Sequence, residues 1–217
     1  TYHGANRLGA NSLLSGSVDG WFTLPFTIPN YLGPLLGTDR LAEDAPEAKE
    51  ALDRAQARLD KLMSIQGKHG AEYFHRQLGE ILYRDCGVAR NKEDLARGIE
   101  EIRELRKAFW SDLFIPGEPN EMNQQLEYAN RVADYIDLGE LMCVDALDRD
   151  ESCGAHYRDD HISEDGEAER DDANWCFVSA WERGNNGPAW DQSGHEFIRH
   201  AEPLTFEAVP LMTRNYK

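Results

Sequence analysis

The residues best suited to chemistry stand close together at the start of the sequence, in the segment HGANRLGANSLL (residues 3–14). Arg7 carries a planar guanidinium fork that matches a carboxylate, and the small residues around it allow the backbone to approach a ligand closely. Asn11 or Ser12 is expected to cap a helix that opens before Leu13, because both are favoured N-cap residues. Such a helix terminus presents free amide donors and positive potential, so the segment predicts a site for an anion or an electron-rich ring.

Other candidate residues carry weaker signals. His3 is a secondary candidate for contact with the same ligand, although a histidine beside a glycine is as often a hydrogen-bonding loop residue. Cys153 and His156 have the spacing Cys-x-x-His, but two ligands do not make a metal site. The four cysteines contain no Cys-x-x-Cys pair and suggest a reducing compartment. We therefore assign no metal.

The composition limits the kinds of partner. The chain has 23 basic and 40 acidic residues, a formal net charge of −17, which repels nucleic-acid phosphates and anionic lipid head groups. We expect no nucleic-acid binding. A small anion is repelled at long range too, so its site must be built locally, as it is around Arg7. No apolar run approaches the ~20 residues that span a bilayer, and we expect no transmembrane segment.

Four amphipathic helices are predicted by apolar residues that recur at intervals of three and four. Pro46 suits the first position of the first helix, Gly87 ends the second, Asn91 caps the third and Pro116 lies beyond its end. Short links between the four favour an antiparallel bundle. The apolar positions are Ala48, Leu52, Ala55, Leu59 and Leu62; Phe74, Leu78, Ile81 and Leu82; Leu95, Ile99, Ile102, Leu105 and Phe109; and Met122, Leu126, Ala129, Val132, Ala133 and Ile136.

The regions on either side of these helices lack the amphipathic helical pattern. From Trp21 to Asp39 the spacing of prolines and glycines argues against a long helix, so we expect an ordered connector whose aromatic residues pack in the core. Beyond Arg149 the chain becomes charged and rich in loops. Two strands are predicted there, at 175–181 and 206–212.

The first segment also carries a family resemblance. HGANRLGANSLL closely resembles the HGANRLGGNSLL element of succinate dehydrogenase and fumarate reductase flavoproteins, and differs at Ala10, where the family usually has glycine. GVARN (87–91), DALDRDESCGAH (145–156) and RDDANW (170–175) are similar to elements of the same family in the same order. The resemblance therefore spans nearly the full chain.

Two stretches depart from the best-known pattern of that family. GSVDGWFTLPFTIPNYL (16–32) differs from the enterobacterial and mitochondrial sequences and is more similar to the menaquinone-linked bacterial subgroup. Cys153 stands where an arginine is common, which puts in doubt any role carried by that position.

The resemblance implies a mainly α chain in three parts. These are the last segment of an FAD-binding domain (1–44), an antiparallel helical bundle (45–147) and a small mixed α+β carboxy-terminal domain (148–217). The sequence opens at Thr1 in what reads as the middle of an element, so we expect a piece of a longer protein. It contains no GxGxxG loop, and we expect no turnover by this chain alone.

The resemblance also implies site residues. Arg7 aligns with the arginine that binds a carboxylate of succinate or fumarate, and His3 is a second candidate for substrate binding. Ser12 and Leu13 align with residues that contact FAD, and Asn11 adds amide donors at the same helix end. The attachment site for covalent FAD is not among these residues.

The implied partners are an iron-sulfur subunit and, through the complex, a membrane anchor that passes electrons to quinone. The implied location is peripheral, on the cytoplasmic face of the bacterial inner membrane. Two alternatives remain: an L-aspartate oxidase-like flavoenzyme, which shares the scaffold, and a helical interaction module without chemistry of its own. DALDRDESCGAH favours succinate dehydrogenase over the first, and Arg7 in its loop argues against the second.

Overall fold

The structure is a computed structural model. It describes residues 10–40, 42–119, 121–184, 187–188, 190–191, 196–207 and 210–212, although not the side chain of Asn11. Arg7 and His3 lie outside these residues. Within them the chain is mainly helical with two small sheets, so the predicted fold class is confirmed.

The first described part of the chain is helical almost throughout, which contradicts the connector predicted from Trp21 to Asp39. A π-helical turn precedes α2, and Pro25 falls in the first turn of α2, where a missing N–H removes no helix bond. Pro29 lies inside α2, one turn before its end, and forfeits a single bond. The elements are α1 (Asn11–Val18), the π turn (Asp19–Thr23), α2 (Leu24–Leu32) and a 3₁₀ turn (Gly33–Leu35).

The predicted bundle is present. Asn91 caps the third of its helices through a bond from the Asp94 amide to its side-chain oxygen at 2.8 Å. Met122, predicted to lie in the last helix, precedes it and is exposed, because Asn123 is the N-cap. The four helices are α3 (Pro46–Ser64), α4 (Ala71–Asp85), α5 (Lys92–Asp112) and α6 (Gln124–Asp148).

Helices α4, α5 and α6 enclose the core, with α5 antiparallel to both of the others. Ion pairs between residues 103 and 140 and between 106 and 137 fix the antiparallel direction of α5 and α6. Helix α3 packs on α6 and buries Leu62, whereas Leu52 of its predicted apolar face is exposed. The core therefore depends mainly on three helices.

Helices α4 and α6 run parallel and approach each other closely at Gly139. A Cβ atom at this position would lie 2.9 Å from Cδ1 of Leu78 and 3.4 Å from Cδ1 of Leu82. The absence of a side chain at Gly139 therefore lets the two helices touch.

The carboxy-terminal region contains two sheets of two strands each. β1 (Ala89–Arg90) pairs in parallel with β2 (Tyr157–Arg158), and β3 (Phe177–Arg183) pairs in antiparallel with β4 (Phe197–Pro203) after the short helix α7 (Asp172–Trp175).

The strand predicted at 175–181 is thus present but begins at Phe177, because Trp175 closes α7. The second strand predicted at 206–212 is misplaced: none of the described residues of that stretch is in a strand. The true partner, β4, is exposed at nearly every position and has no apolar alternation to reveal it.

Candidate functional site

The predicted helix after Arg7 begins at Asn11, but neither Asn11 nor Ser12 caps it, so that prediction is wrong. The N-cap is Ala10, which makes no side-chain cap bond and whose carbonyl accepts from the Leu14 amide at 3.1 Å. Ala10 adopts a left-handed conformation with φ of 63°, which glycine occupies freely and alanine at a cost of about 1 kcal/mol. This is the position at which the sequence departs from HGANRLGGNSLL.

The first turn of α1 is open to a ligand. The amides of Asn11, Ser12 and Leu13 fall in the turn that has no partner within its own helix, and the positive end of the helix dipole lies there. The Leu13 side chain is 75% exposed and that of Ser12 is partly exposed. These three predicted flavin contacts therefore share one accessible helix terminus, while Arg7 and His3 belong to the undescribed residues before it.

The helices that follow carry an uncovered apolar surface. No residue from 10 to 40 with a described side chain is buried. Trp21, Phe22 and Phe26, which we expected in the core, are 78%, 71% and 65% exposed. Monomeric proteins rarely expose contiguous apolar patches of this kind, which typically mark an interaction surface. The aromatic residues of this segment are thus suited to contact a surface outside the described bundle.

The other three family-like stretches meet in space at the end of the bundle where α4 and α6 finish. GVARN contributes β1 and DALDRDESCGAH leads into β2, which pair side by side. The Asp159 amide donates to the Arg90 carbonyl at 2.8 Å, and the Lys92 amide donates to Asp160 at 3.1 Å. RDDANW joins them, because the Asp171 amide donates to Glu151 at 2.8 Å. We call Arg90, Arg149, Glu151, His156, Arg158 and Asp160 the motif junction.

His156 has a structural part in the motif junction. Arg90 donates from Nη1 to Nδ1 of the imidazole at 3.1 Å, and Nε2 lies 2.9 Å from the Arg149 carbonyl. Because a guanidinium only donates and a carbonyl only accepts, the proton of the neutral ring is on Nε2. Burial lowers the pKa of His156, and the positive charge of Arg90 lowers it further. Both ring nitrogens are occupied, which leaves none for the metal ligation considered with Cys153.

Arg158 is the buried centre of the motif junction. Its guanidinium donates to both carboxylate oxygens of Asp160 at 2.7 Å and reaches the carbonyl of Ala146 in the last turn of α6. Its backbone amide donates to Ser152 Oγ at 2.8 Å. The bond to Asp160 raises the pKa of Arg158 and lowers that of Asp160 to about 2. This arrangement fixes the carboxy-terminal region onto the bundle.

Arg149 and Glu151 complete this fixed network. Arg149 donates to Glu151, itself buried, at 2.6 Å and to the Trp175 carbonyl at 3.0 Å. Sequence reasoning assigned no role to these two residues or to Arg90. The alternation of arginine with acidic residues in DRDES and YRDD was the available signal, since buried charges need partners.

The described residues form neither a metal-binding cluster nor a helix able to span a membrane. Among the residues that the structure describes, no group of three or more His, Cys, Asp or Glu side chains is placed to hold a metal ion. Across the same part of the chain, every helix is too short or too polar to cross a bilayer.

Comparison with known proteins identifies sequence relatives. A family model described as fumarate reductase flavoprotein C-term matches residues 75–216. The fumarate reductase flavoprotein subunit of Proteus vulgaris is 33% identical over 181 residues, which cover 80% of this chain and 27% of that protein. The succinate dehydrogenase flavoprotein subunit of Bacillus subtilis is 29% identical over 175 residues, covering 80% and 28%. This chain thus spans little more than a quarter of the length of these relatives.

Solved structures of related proteins share this fold. A mutant FrdA of E. coli quinol fumarate reductase matches with a TM-score of 0.75 and 26% identity, covering 97% of this chain and 33% of that one. The Mycobacterium smegmatis Sdh1 complex in its apo form matches with a TM-score of 0.58 over 76% of this chain and 25% of that one, at 18% identity, which is a likeness of fold alone.

Proposed function

This chain belongs to the family of fumarate reductase and succinate dehydrogenase flavoprotein subunits, and from this premise we propose that it forms one wall of a flavin and dicarboxylate site. In the intact subunit that site interconverts succinate and fumarate. The observation that carries the proposal is the open first turn of α1, directly after the HGANRLGA segment, next to an apolar surface that the bundle leaves uncovered.

The residues before α1 bind the substrate, and the first residues of α1 contact the flavin. Arg7 clamps one carboxylate of the dicarboxylate through a charge-assisted, two-pronged contact, and His3 provides a second contact to the same substrate. Asn11, Ser12 and Leu13 turn their free amides toward the flavin, where the positive helix end favours electron-rich ring atoms. The donor set fits such a group, because the terminus is accessible and the left-handed Ala10 brings the chain sharply into the helix.

FAD, when bound, supplies the hydride acceptor and donor for this reaction. The role of Arg7 is to hold the substrate in one orientation, which removes much of the entropic cost of reaching the reactive geometry. The proton that accompanies the hydride passes through a group that this sequence does not contain. For the same reason we propose that these 217 residues alone do not turn over.

The proposal extends to partners and location. Electrons leave the flavin toward an iron-sulfur subunit and reach quinone through a membrane anchor, so the subunit lies at the cytoplasmic face of the bacterial inner membrane. This is supported by the similarity of the chain to a solved quinol-fumarate reductase with menaquinol molecules. The departures in residues 16–32 favour a menaquinone-linked enzyme.

Replacement of Arg7 in the full-length subunit within its complex tests the site. We expect Arg7→Lys to lower kcat/KM for succinate with an artificial electron acceptor by roughly 30- to 150-fold, because losing a bidentate contact costs on the order of 2–3 kcal/mol. The control is Arg40→Lys, at an exposed arginine beyond α2, which should leave kcat/KM unchanged. Flavin content, measured by absorbance, should be equal in both variants.

Three results would contradict the proposal in different ways. Equal succinate turnover in the Arg7→Lys and Arg40→Lys proteins would refute the role of Arg7 as a carboxylate clamp. Oxidation of aspartate without oxidation of succinate by the unmodified protein would identify an L-aspartate oxidase-like enzyme instead. A full-length protein that holds no flavin would leave the interaction module.

A further inference from the structure

Two buried cysteines meet in the core where α4 ends. Cys86 is the C-cap residue of α4 and is 7% exposed, whereas Cys143 lies inside α6 and is fully buried. Both are free thiols. Neither takes part in the proposed flavin site or in the motif junction.

The packing of the two helices explains why these thiols lie beside each other. Helices α4 and α6 run parallel, and their close approach brings Leu78 and Leu82 against Gly139. Cys86 follows Leu82 by four residues and Cys143 follows Gly139 by four residues, so each thiol lies one helical turn further along the same contact line. This spacing places the two thiols side by side in the same hydrophobic core.

The two sulfur atoms are chemically unequal. The interaction between the two thiols lowers the pKa of Cys86 and raises that of Cys143. The positive charge of Arg90 adds to the lowering at Cys86, while burial and the carboxylates of Asp85 and Asp145 oppose it. Cys86 is therefore the thiol that ionises first, and it is also the one that solvent reaches.

We propose that Cys86 and Cys143 form a reversible dithiol–disulfide site that is oxidised by hydrogen peroxide. The Cys86 thiolate attacks one peroxide oxygen, the O–O bond breaks, and the departing oxygen leaves as water after taking up a proton, so that Cys86 becomes a sulfenic acid. The Cys143 sulfur then attacks Cys86, the S–O bond breaks, and a second water leaves with the Cys143 proton. Two thiols lose two electrons and two protons, and one peroxide becomes two waters.

The cross-link lies next to the motif junction in the chain. Cys86 is followed directly by Gly87, whose carbonyl accepts from Arg90 at 2.9 Å, and Arg90 holds His156 of the carboxy-terminal region. Oxidation therefore ties the C-cap residue of α4 to α6 at the point where the bundle meets this region. A thiol reductant reverses the bond by exchange.

Tryptic mapping of the native full-length protein provides the test, because each cysteine falls on a separate peptide. Cys86 lies on DCGVAR (85–90), and Cys143 lies on VADYIDLGELMCVDALDR (132–149). Reduced protein is treated with rising hydrogen peroxide, alkylated and digested. We expect a disulfide-linked pair of these two peptides, with a mass two hydrogen atoms below the sum of the two thiol peptides. Dithiothreitol should reduce the link and separate them.

The other two cysteines are internal controls. DESCGAHYR (150–158) carries Cys153 and DDANWCFVSAWER (171–183) carries Cys176. Both peptides should remain alkylated as thiols at the peroxide dose that links Cys86 to Cys143. Linkage through Cys153 or Cys176 in place of the core pair would overturn the proposal, as would alkylation of both core thiols at that dose.

A variant tests the order of events. In Cys143→Ser no second sulfur is available, so the Cys86 sulfenic acid should accumulate and react with dimedone in peptide 85–90. Absence of the dimedone adduct from a folded Cys143→Ser protein would overturn the assignment of Cys86 as the attacking thiol. If this variant does not fold, the result with the unmodified protein decides the proposal on its own.

Discussion

Gly67 packs directly against the backbone at the end of α5, and its replacement by alanine is the sharpest test of the bundle. A Cβ atom at Gly67 would lie 1.9 Å from the carbonyl carbon of Asp112 and 2.0 Å from its oxygen. Four backbone hydrogen bonds of 2.8 to 3.1 Å join residues 67–69 to residues 112–114 at this point. The contact fixes the start of α4 to the end of α5.

The geometry sets the size of the effect. Real Cβ contacts of this kind are not seen below 3.0 Å, so the two backbone segments must separate by about 1 Å. Backbone hydrogen bonds are each worth about 0.5–1.5 kcal/mol, and loss of the four gives on the order of 2–6 kcal/mol. For a domain of this size the midpoint of thermal unfolding should fall by roughly 2–4 °C for each kcal/mol.

The matched control is Gly70→Ala, three residues further along the same loop. A Cβ at Gly70 would meet nothing within 4 Å, and its φ of −70° suits alanine. Both substitutions change the entropy of the unfolded chain alike, so their difference isolates the contact. We expect Gly70→Ala to shift the free energy of unfolding by about 1 kcal/mol or less.

Thermal unfolding of the full-length protein and hydrogen exchange of the amides at 113–114 give the readouts. In Gly67→Ala the midpoint should drop and the Phe114 amide, bonded to the His69 carbonyl at 2.8 Å, should exchange faster. Equal midpoints and equal exchange in the two alanine variants would refute the close approach of Gly67 to α5.

Two further predictions concern charged residues. Glu140→Gln should lower the free energy of unfolding by about 3 kcal/mol in urea denaturation, because buried Glu140 accepts from buried Arg106. Glu104→Gln, at an exposed i,i+3 pair, should change it by less than about 0.5 kcal/mol, and equal losses would refute the buried pair. Arg158 lowers the pKa of Asp160 from 3.8 to about 2, so this carboxylate contributes its full stabilisation above pH 4 and loses it as the pH falls toward 2. The stability gap between the unmodified protein and Asp160→Asn should therefore close between pH 4 and pH 2, and a gap that stays constant would contradict this.

The sequence predicted the bundle well because the apolar positions within each helix indicate which of its faces is buried. An apolar stripe of period 3.6 states which face of α4, α5 and α6 is inside, whatever the neighbours are. Asn91 signalled the start of α5 through a bond to Asp94 only three residues away. The family predicted from four short motifs is confirmed by the relatives.

The features that the sequence did not predict share a cause: each depends on residues far away in the chain or outside it. The sequence offers no sign that β4 pairs with β3, since this exposed strand has no apolar alternation and is held largely by backbone bonds. The contact between Arg90 and His156 was equally hidden, because the two residues are 66 positions apart. Local patterns do not encode contacts of this length.

In the segment before the bundle, the structure has helices where the sequence predicts an irregular connector. Prolines at 25 and 29 predict that a helix stops, yet both lie within α2, and the aromatic residues of the segment face outward. Exposure of Trp21 and Phe22 brings no stability to the described chain, whereas burial of such side chains is worth a few kcal/mol each. Under the proposed function, a segment that keeps these residues uncovered beside an open helix terminus gains its stabilisation from a surface outside the bundle, in a wall shared with the rest of a flavoprotein subunit.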